Sequence, residues 1–377
     1  MARVLTIYLA SRAVTTAFMA TLFLVASGQG WSFASHRAHA TFFTFSGSWD
    51  SSFYKRIALE GYPLQLPTDA AGHVEPNAWA FLPVFPWLSR GVMAVTGLEF
   101  YTAGVIVATV FGAAAAVVLY KLLVRRVADR PALWAVIFFC FGPLSFMLQV
   151  AYAESLFLFL LFCALWAMVT QRYLLMIPFG VLAAFTRPGA LALALALGIQ
   201  LLVRLLRRET VGWRKASAII VAGAVIAAAG LAWPVIASAV TGHPGAYLET
   251  ELSWWTGFVG RVSFVPLTPW FIMAGRYLGV AGIVLVIAVI AGFAWWLSRR
   301  SLRRVGEDIV GFGASYGLYL VAVFLPQQSL FRLLMPLAPL LGDPALSRTR
   351  LRRGVLLGAA IALQPVAIVL LWFLGYP

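Results

Sequence analysis

Charged side chains are scarce in this chain, so the places where they gather mark where chemistry can be done. The densest gathering is the stretch Ser48-Trp49-Asp50-Ser51-Ser52-Phe53-Tyr54-Lys55-Arg56-Ile57-Ala58-Leu59-Glu60-Gly61-Tyr62-Pro63, followed by the aromatic and proline-rich run from Asn77 to Pro86. With Ser48 as helix cap, Asp50 falls in the first turn of a short amphipathic helix that ends at Gly61. Trp49, Phe53, Ile57 and Glu60 then share one stripe, and Asp50, Tyr54 and Ala58 an adjacent one. A carboxylate at a helix start is kept ionised by the helix dipole and can accept a proton from an alcohol. The same position also suits a carboxylate that merely caps the helix.

Three further charges stand apart. Glu154, within Ala151-Tyr152-Ala153-Glu154-Ser155, lies where two apolar runs meet; it reads either as a helix-start charge at the water boundary or as a group that meets an acceptor. Arg187, in Thr186-Arg187-Pro188-Gly189, and Arg332 are cations on the side from which positive charge is otherwise depleted. A lipid phosphate would account for them, because guanidinium groups form paired hydrogen bonds with phosphate oxygens. Snorkelling, or an ion pair with Glu154, would account for them equally. Lys55 and Arg56 can simply meet lipid headgroups. The aromatics from Trp79 to Trp87 and at Trp254-Trp255 fit an interfacial belt and also a surface on which a sugar stacks.

The elements that must position these groups are apolar. The chain has 377 residues, of which 62% are hydrophobic and 11% charged, with mean hydropathy +0.91. So little charge cannot cover a water-soluble fold of this size, and an all-α polytopic membrane protein is expected. The net charge of +15 sits in short basic clusters between apolar runs, which follows the positive-inside rule and not a nucleic-acid surface. About 11 transmembrane helices are expected: 11–33, 100–124, 131–150, 153–170, 173–186, one descending to Arg204, 216–240, one ending at Arg299, 309–325, one beginning at Ser329, and a last one after Arg353. The loop 34–99 is expected outside, its Trp79–Thr96 half a juxtamembrane helix because two prolines start it. This threading assigns the entire net charge to the cytoplasm. It makes one membrane domain over 1–377, with seven spans and the first outer loop in 1–240, and a second outer loop and four spans in 241–377.

Ala38-His39-Ala40 is similar to a leader cleavage site, but the apolar run from Ala13 exceeds a signal peptide's core, so an uncleaved first span is expected. Cys140 and Cys163 fall in apolar runs without metal or disulfide spacing and read as core residues. His36, His39, His73 and His243 lack ligand spacing, so no metal is expected.

Trp49-Asp50 with Phe53-Tyr54, Ile57-Ala58 and Glu60-Gly61-Tyr62, then Ala80-Phe81-Leu82-Pro83-Val84-Phe85-Pro86, resembles the first-loop signature of the PIG-V-like mannosyltransferases of the GT-C glycosyltransferase superfamily. Tyr152 to Phe157, Thr186-Arg187-Pro188-Gly189, and Phe331-Arg332 with Pro336 to Pro339 look like that family's later motifs, in the same order. The chain has Phe-Leu-Pro where Phe-Phe-Pro is common, and shorter outer loops than the eukaryotic members. The resemblance implies a GT-C-like fold, a polyprenyl-phosphate-mannose donor, inverting transfer on the non-cytoplasmic face, and Asp50 as the catalytic base. Donor phosphate would meet Arg187, Arg332 and Arg56; sugar or acceptor would meet Trp49, Tyr54, Glu60, Trp79, Tyr152 and Glu154. The expected partners are that donor, a glycolipid or cell-envelope glycan acceptor and membrane lipids; no nucleic acid and no obligatory metal or other cofactor are expected. The predominance of arginine over lysine points to a bacterial plasma membrane, with the amino terminus cytoplasmic. Transfer of another sugar, a lipid-linked-saccharide flippase or transporter, and a noncatalytic partner subunit are the competing classes.

Overall fold

Runs rich in Ala, Leu, Val and Phe with few breakers build helices, and where Gly and Pro interrupt those runs the helices stop. The computed structural model describes residues 1–31 and 40–375. The histidines His36 and His39, and most of the Ala38-His39-Ala40 motif, lie outside the described residues. The fold is all-α; the only β pairing among the described residues is an isolated bridge between Thr68 and Val74.

In chain order, α1 (Ala2–Gly28) is followed by α2 (Phe42–Phe45), α3 (Ser51–Glu60) and α4 (Val84–Thr96), which occupy the first long connection. Then come α5 (Phe100–Leu123), α6 (Asp129–Phe141), α7 (Glu154–Val169), α8 (Tyr173–Ala184), α9 (Leu191–Leu206) and α10 (Trp213–Thr241). The short α11 (Ala246–Ser253) and α12 (Thr256–Val259) lie in the second long connection, before α13 (Pro269–Ser298) and α14 (Arg300–Arg303). The chain finishes with α15 (Glu307–Val323), α16 (Leu330–Leu333), a 3-10 run Met335–Gly342, and α17 (Arg350–Ile368), which ends in a π-turn Val369–Phe373.

Five helices among the described residues are long and apolar enough to cross a membrane: α1, α5, α10, α13, and α17 with its π-turn, at 24 to 30 residues each. This corrects the expectation of eleven. At 1.5 Å per residue, helices of 12 to 17 residues such as α7, α8, α9 and α15 reach only about 18–26 Å, short of a hydrocarbon layer of about 30 Å. Gly142-Pro143 cuts the expected span 131–150 after Phe141, and the stretch expected to span from Ser329 is a single helical turn followed by a proline-containing 3-10 run. The first helix begins at residue 2, not 11.

The helices are dressed inside out relative to a soluble protein. In α1 the polar Tyr8, Ser11, Arg12 and Thr15 are buried, while Leu5, Leu9, Leu24 and Val25 are exposed. α13 buries little of its apolar surface and turns Val280, Val284, Ile287 and Trp295 outward. Such surfaces belong in lipid. The centre is α7, apolar all round and buried on nearly every side, which shares its most extensive contact with α5. Gly104 lets α5 approach the turn that leads into α7: a Cβ there would stand 2.9 Å from the Ala151 methyl. Cys140 and Cys163 are buried and unbridged, as their setting suggested.

Arg12 lies within α1 with its guanidinium inside the protein. It donates to the carbonyls of Cys140 (2.9 Å) and Ser145 (2.5 Å) and to Gln149 Oε1 (3.2 Å). It thereby satisfies carbonyls freed where α6 stops at Gly142-Pro143, and Gln364 Nε2 donates to Phe141 O beside it.

The charged ends sort into two poles. Arg3–Asp129, Arg126–Asp308 and Arg207–Glu307 pairs gather the starts of α1, α6 and α15 with the ends of α5 and α9. At the other pole the start of α7, the α8–α9 turn and α16 converge on the turn that leads into α3.

Candidate functional site

Asp50 sits at the N-cap position of α3, yet its side chain makes no cap hydrogen bond. Neither is Ser48 the cap, because its hydroxyl donates to Phe45 O. The preceding residue, Trp49, has φ 57, a left-handed conformation that costs a bulky residue about 1–3 kcal/mol and must be held by its surroundings. Trp49 Nε1 donates to Trp372 O (2.9 Å), Trp372 Nε1 donates to Phe45 O (2.9 Å), and the Ala151 N–H donates to Ser46 O (2.9 Å). Ser51 Oγ adds a bond to Ala151 O (2.8 Å). So clamped, the turn carries the Asp50 carboxylate away from its own helix and toward α16, where Oδ2 lies 2.7 Å from Arg332 Nη1.

Tyr152 supports both partners. Its hydroxyl accepts the Asp50 backbone N–H (3.0 Å), and the Arg332 guanidinium lies over its ring at 5.3 Å. Two residues on, Glu154 opens α7, with Oε1 2.5 Å from Arg187 Nη1 and 3.5 Å from Arg332 Nη1. Two carboxylates and two guanidiniums from four distant segments thus form one balanced cluster, with side chains only 4–15% exposed. Burial works against the charge on Arg332, but Asp50 and Glu154 outweigh it and raise its pKa; Arg187 is raised in the same way, chiefly by Glu154. Arg187 does make the ion pair with Glu154 that its position allowed.

The cluster's hydrogen-bonding capacity is not consumed internally. Glu154 Oε2 and the Nε and Nη1 of Arg332 are buried without a protein hydrogen bond, the contacts of Nη1 with Asp50 and Glu154 being ion pairs. Groups of this kind are costly unless they serve a ligand. A bound phosphate could accept from the guanidiniums, and a hydroxyl could donate to Asp50 or Glu154.

Tyr54 is buried one helical turn from Asp50, its ring set edge-on to Phe81, Phe85 and Tyr152. Burial raises its phenol pKa, so it acts as a neutral group. The wall missed by sequence reasoning comes from the second long connection. Glu251 on α11 is hydrogen-bonded to Tyr247 and feels the charges of Arg187 and Asp50. Burial pushes its carboxyl up to about 7, against the lowering effects of Tyr247 and Arg187. The i, i+4 pair Tyr247 and Glu251 was visible in the chain, but nothing local marked it as lying within the field of Arg187.

Other expected site residues lie elsewhere. Arg56 is exposed over the Phe53 ring, and Glu60 is exposed at the far end of α3. Trp79 is buried in a separate aromatic cluster: it stacks on Tyr62 at 4.6 Å, donates from Nε1 to Pro63 O, and accepts Trp233 Nε1 at its carbonyl. Its faces are taken by protein. His73 pairs with Asp69 and His243 with Glu249, and among the described residues no group of three His, Cys, Asp or Glu side chains could hold a metal.

The fold and this cluster define a helical protein with membrane-length helices and a charged polar site at one pole. No protein-family model matches the chain, and no curated protein is significantly similar to it.

Proposed function

We propose that the protein is an integral-membrane glycosyltransferase that moves mannose, with inversion, from polyprenyl-phosphate-mannose to a lipid-linked or cell-envelope glycan acceptor on the non-cytoplasmic face. The observation that carries this reading is the convergence of Asp50, Glu154, Arg187 and Arg332, the residues of the resemblance's successive motifs, on one cluster. Asp50 takes the proton of an acceptor hydroxyl as that oxygen bonds to the anomeric carbon. The bond from that carbon to the lipid phosphate breaks, and the phosphate leaves with the electron pair, its charge met by Arg187 and Arg332. Arg332 holds the Asp50 carboxylate in place, 2.7 Å from its Nη1, before the acceptor arrives. Phosphate needs no protonation to depart, so a second acid is dispensable.

The basic pole faces the cytoplasm in this reading and the cluster faces outward, in a bacterial plasma membrane. The distinctive charges lie at one pole instead of lining a path, and the polar groups around Arg12 are taken up by internal hydrogen bonds, which favours an enzyme over a transporter. The test offers purified protein radiolabelled polyprenyl-phosphate-mannose with candidate glycolipids. Labelled product from the wild type and none from Asp50→Asn or Arg332→Ala is expected; no product with any acceptor, together with lipid-linked sugar appearing on the far leaflet of vesicles, would return the transporter.

A further inference from the structure

At the pole opposite Asp50, a cavity of about 460 Å³ opens between α9 and α15. Arg126, Arg204, Arg207 and Arg303 line it. Three carboxylates share the lining with these four arginines: Glu209, Asp308, which is engaged by Arg126 and by Gln200 Nε2 (2.5 Å), and Glu307, which is engaged by both terminal nitrogens of Arg207 (2.9 Å each). Arg204 and Arg303 have no carboxylate within ion-pair distance among the described residues. Gln200 and Arg204 follow one stripe of α9 and Arg207 continues it just past the helix end, so the guanidinium of Arg204, which also meets the Tyr173 hydroxyl, stands between groups that are themselves held in place.

The cavity is also built to stay open on the α15 side. Gly306 lines it with φ 109, and a Cβ there would stand 2.9 Å from Arg126 Nε, so the arginine stem crosses the helix start only because no side chain is present. Beyond it α15 begins, and its first turn brings free backbone N–H groups to the same wall. The surplus of donors calls for a compact anion rich in acceptor oxygens.

We propose that this cavity binds a phosphate ester, held by Arg204 and Arg303, and that its source is the headgroup of an anionic phospholipid. The lipid source is favoured by Leu202, Leu205 and Leu206, which stand 54%, 58% and 74% exposed on the last turns of α9 beside Arg204. Apolar side chains next to the cavity would meet acyl chains, whereas a soluble phosphate would leave them without a counterpart. The site does not depend on the sugar-transfer reading.

Native mass spectrometry of the purified protein in detergent, with phosphatidylglycerol or phosphatidylcholine added, reads the binding directly. Phosphatidylglycerol is expected to be retained in preference to phosphatidylcholine, and Arg204→Gln/Arg303→Gln to weaken it about tenfold or more, while Arg348→Gln on the exposed cytoplasmic loop leaves it unchanged. In the wild type, phosphatidylglycerol is expected to protect Arg204 and Arg303 from phenylglyoxal, a measurement that needs no folded variant. Protection by millimolar inorganic phosphate but not by the lipid would overturn the lipid source. Equal retention of the two lipids, or unchanged modification of both arginines, would overturn the site.

Discussion

Asp50 occupies a capping position without capping, and the physical reason is the left-handed Trp49 before it. The carboxylate is spent on Arg332 instead of on α3, which gives Asp50→Asn a specific expectation. Transfer should fall by about 10²- to 10⁴-fold in kcat with donor KM little changed, measured by steady-state assay with labelled donor. Glu251 gives a second. Its folded pKa of about 7 lies above the ordinary 4.5, so the protonated form is the one the fold favours. The stabilising share is complete below about pH 4.5 and is lost as pH rises through 7. Melting temperature in detergent should therefore decline across that window, and Glu251→Gln should flatten the decline. Asp50, Glu154, Arg187 and Arg332 were legible in the sequence because each breaks the charge pattern around it. Glu251 was not, since its importance depends on which residues face it across the fold. Trp79 and Arg56 looked available by position, and only packing shows one ring enclosed and one guanidinium turned to solvent.

Among the elements, hydropathy located the long apolar helices. It overstated how many of them could cross a membrane, because apolar residues enclosed by protein and apolar residues facing lipid look the same in sequence. α7 is the plain case: its uniform hydrophobicity reports burial against other helices, and sixteen residues suffice there. Arg12 is the converse, a cation inside the protein that closes the end of a broken helix. Arg12→Met would leave the carbonyls of Cys140 and Ser145 buried without donors, and should destabilise the protein by about 2–5 kcal/mol, read as a lowered melting temperature. Gly112 marks the crossing of α1 and α5, where any Cβ would collide with the Tyr8 hydroxyl. Gly112→Val should cost about 1–3 kcal/mol in the same assay by overpacking that contact.

For the whole molecule, the two poles carry the argument. Basic clusters and their ion pairs occupy one, the four-charge cluster the other, and a membrane between them would hold the first on the cytoplasmic side. Native Cys140 and Cys163 are buried, so introduced thiols report alone. In intact cells Thr68→Cys should react with a membrane-impermeant maleimide, and Arg348→Cys only after lysis; the reverse pattern would invert the orientation. Charge patterning marked the basic clusters that gather at one pole. The assembly of the opposite cluster was not readable, because its four side chains come from distant segments.

The Asp50 turn is braced by Trp372, a residue 323 positions further along the chain. Synthesis therefore delivers the acidic side chain long before the residue that braces it. The left-handed turn at Trp49 is held only once Trp372 has packed against it, so the local geometry of the first long connection is completed by a contact of very long range.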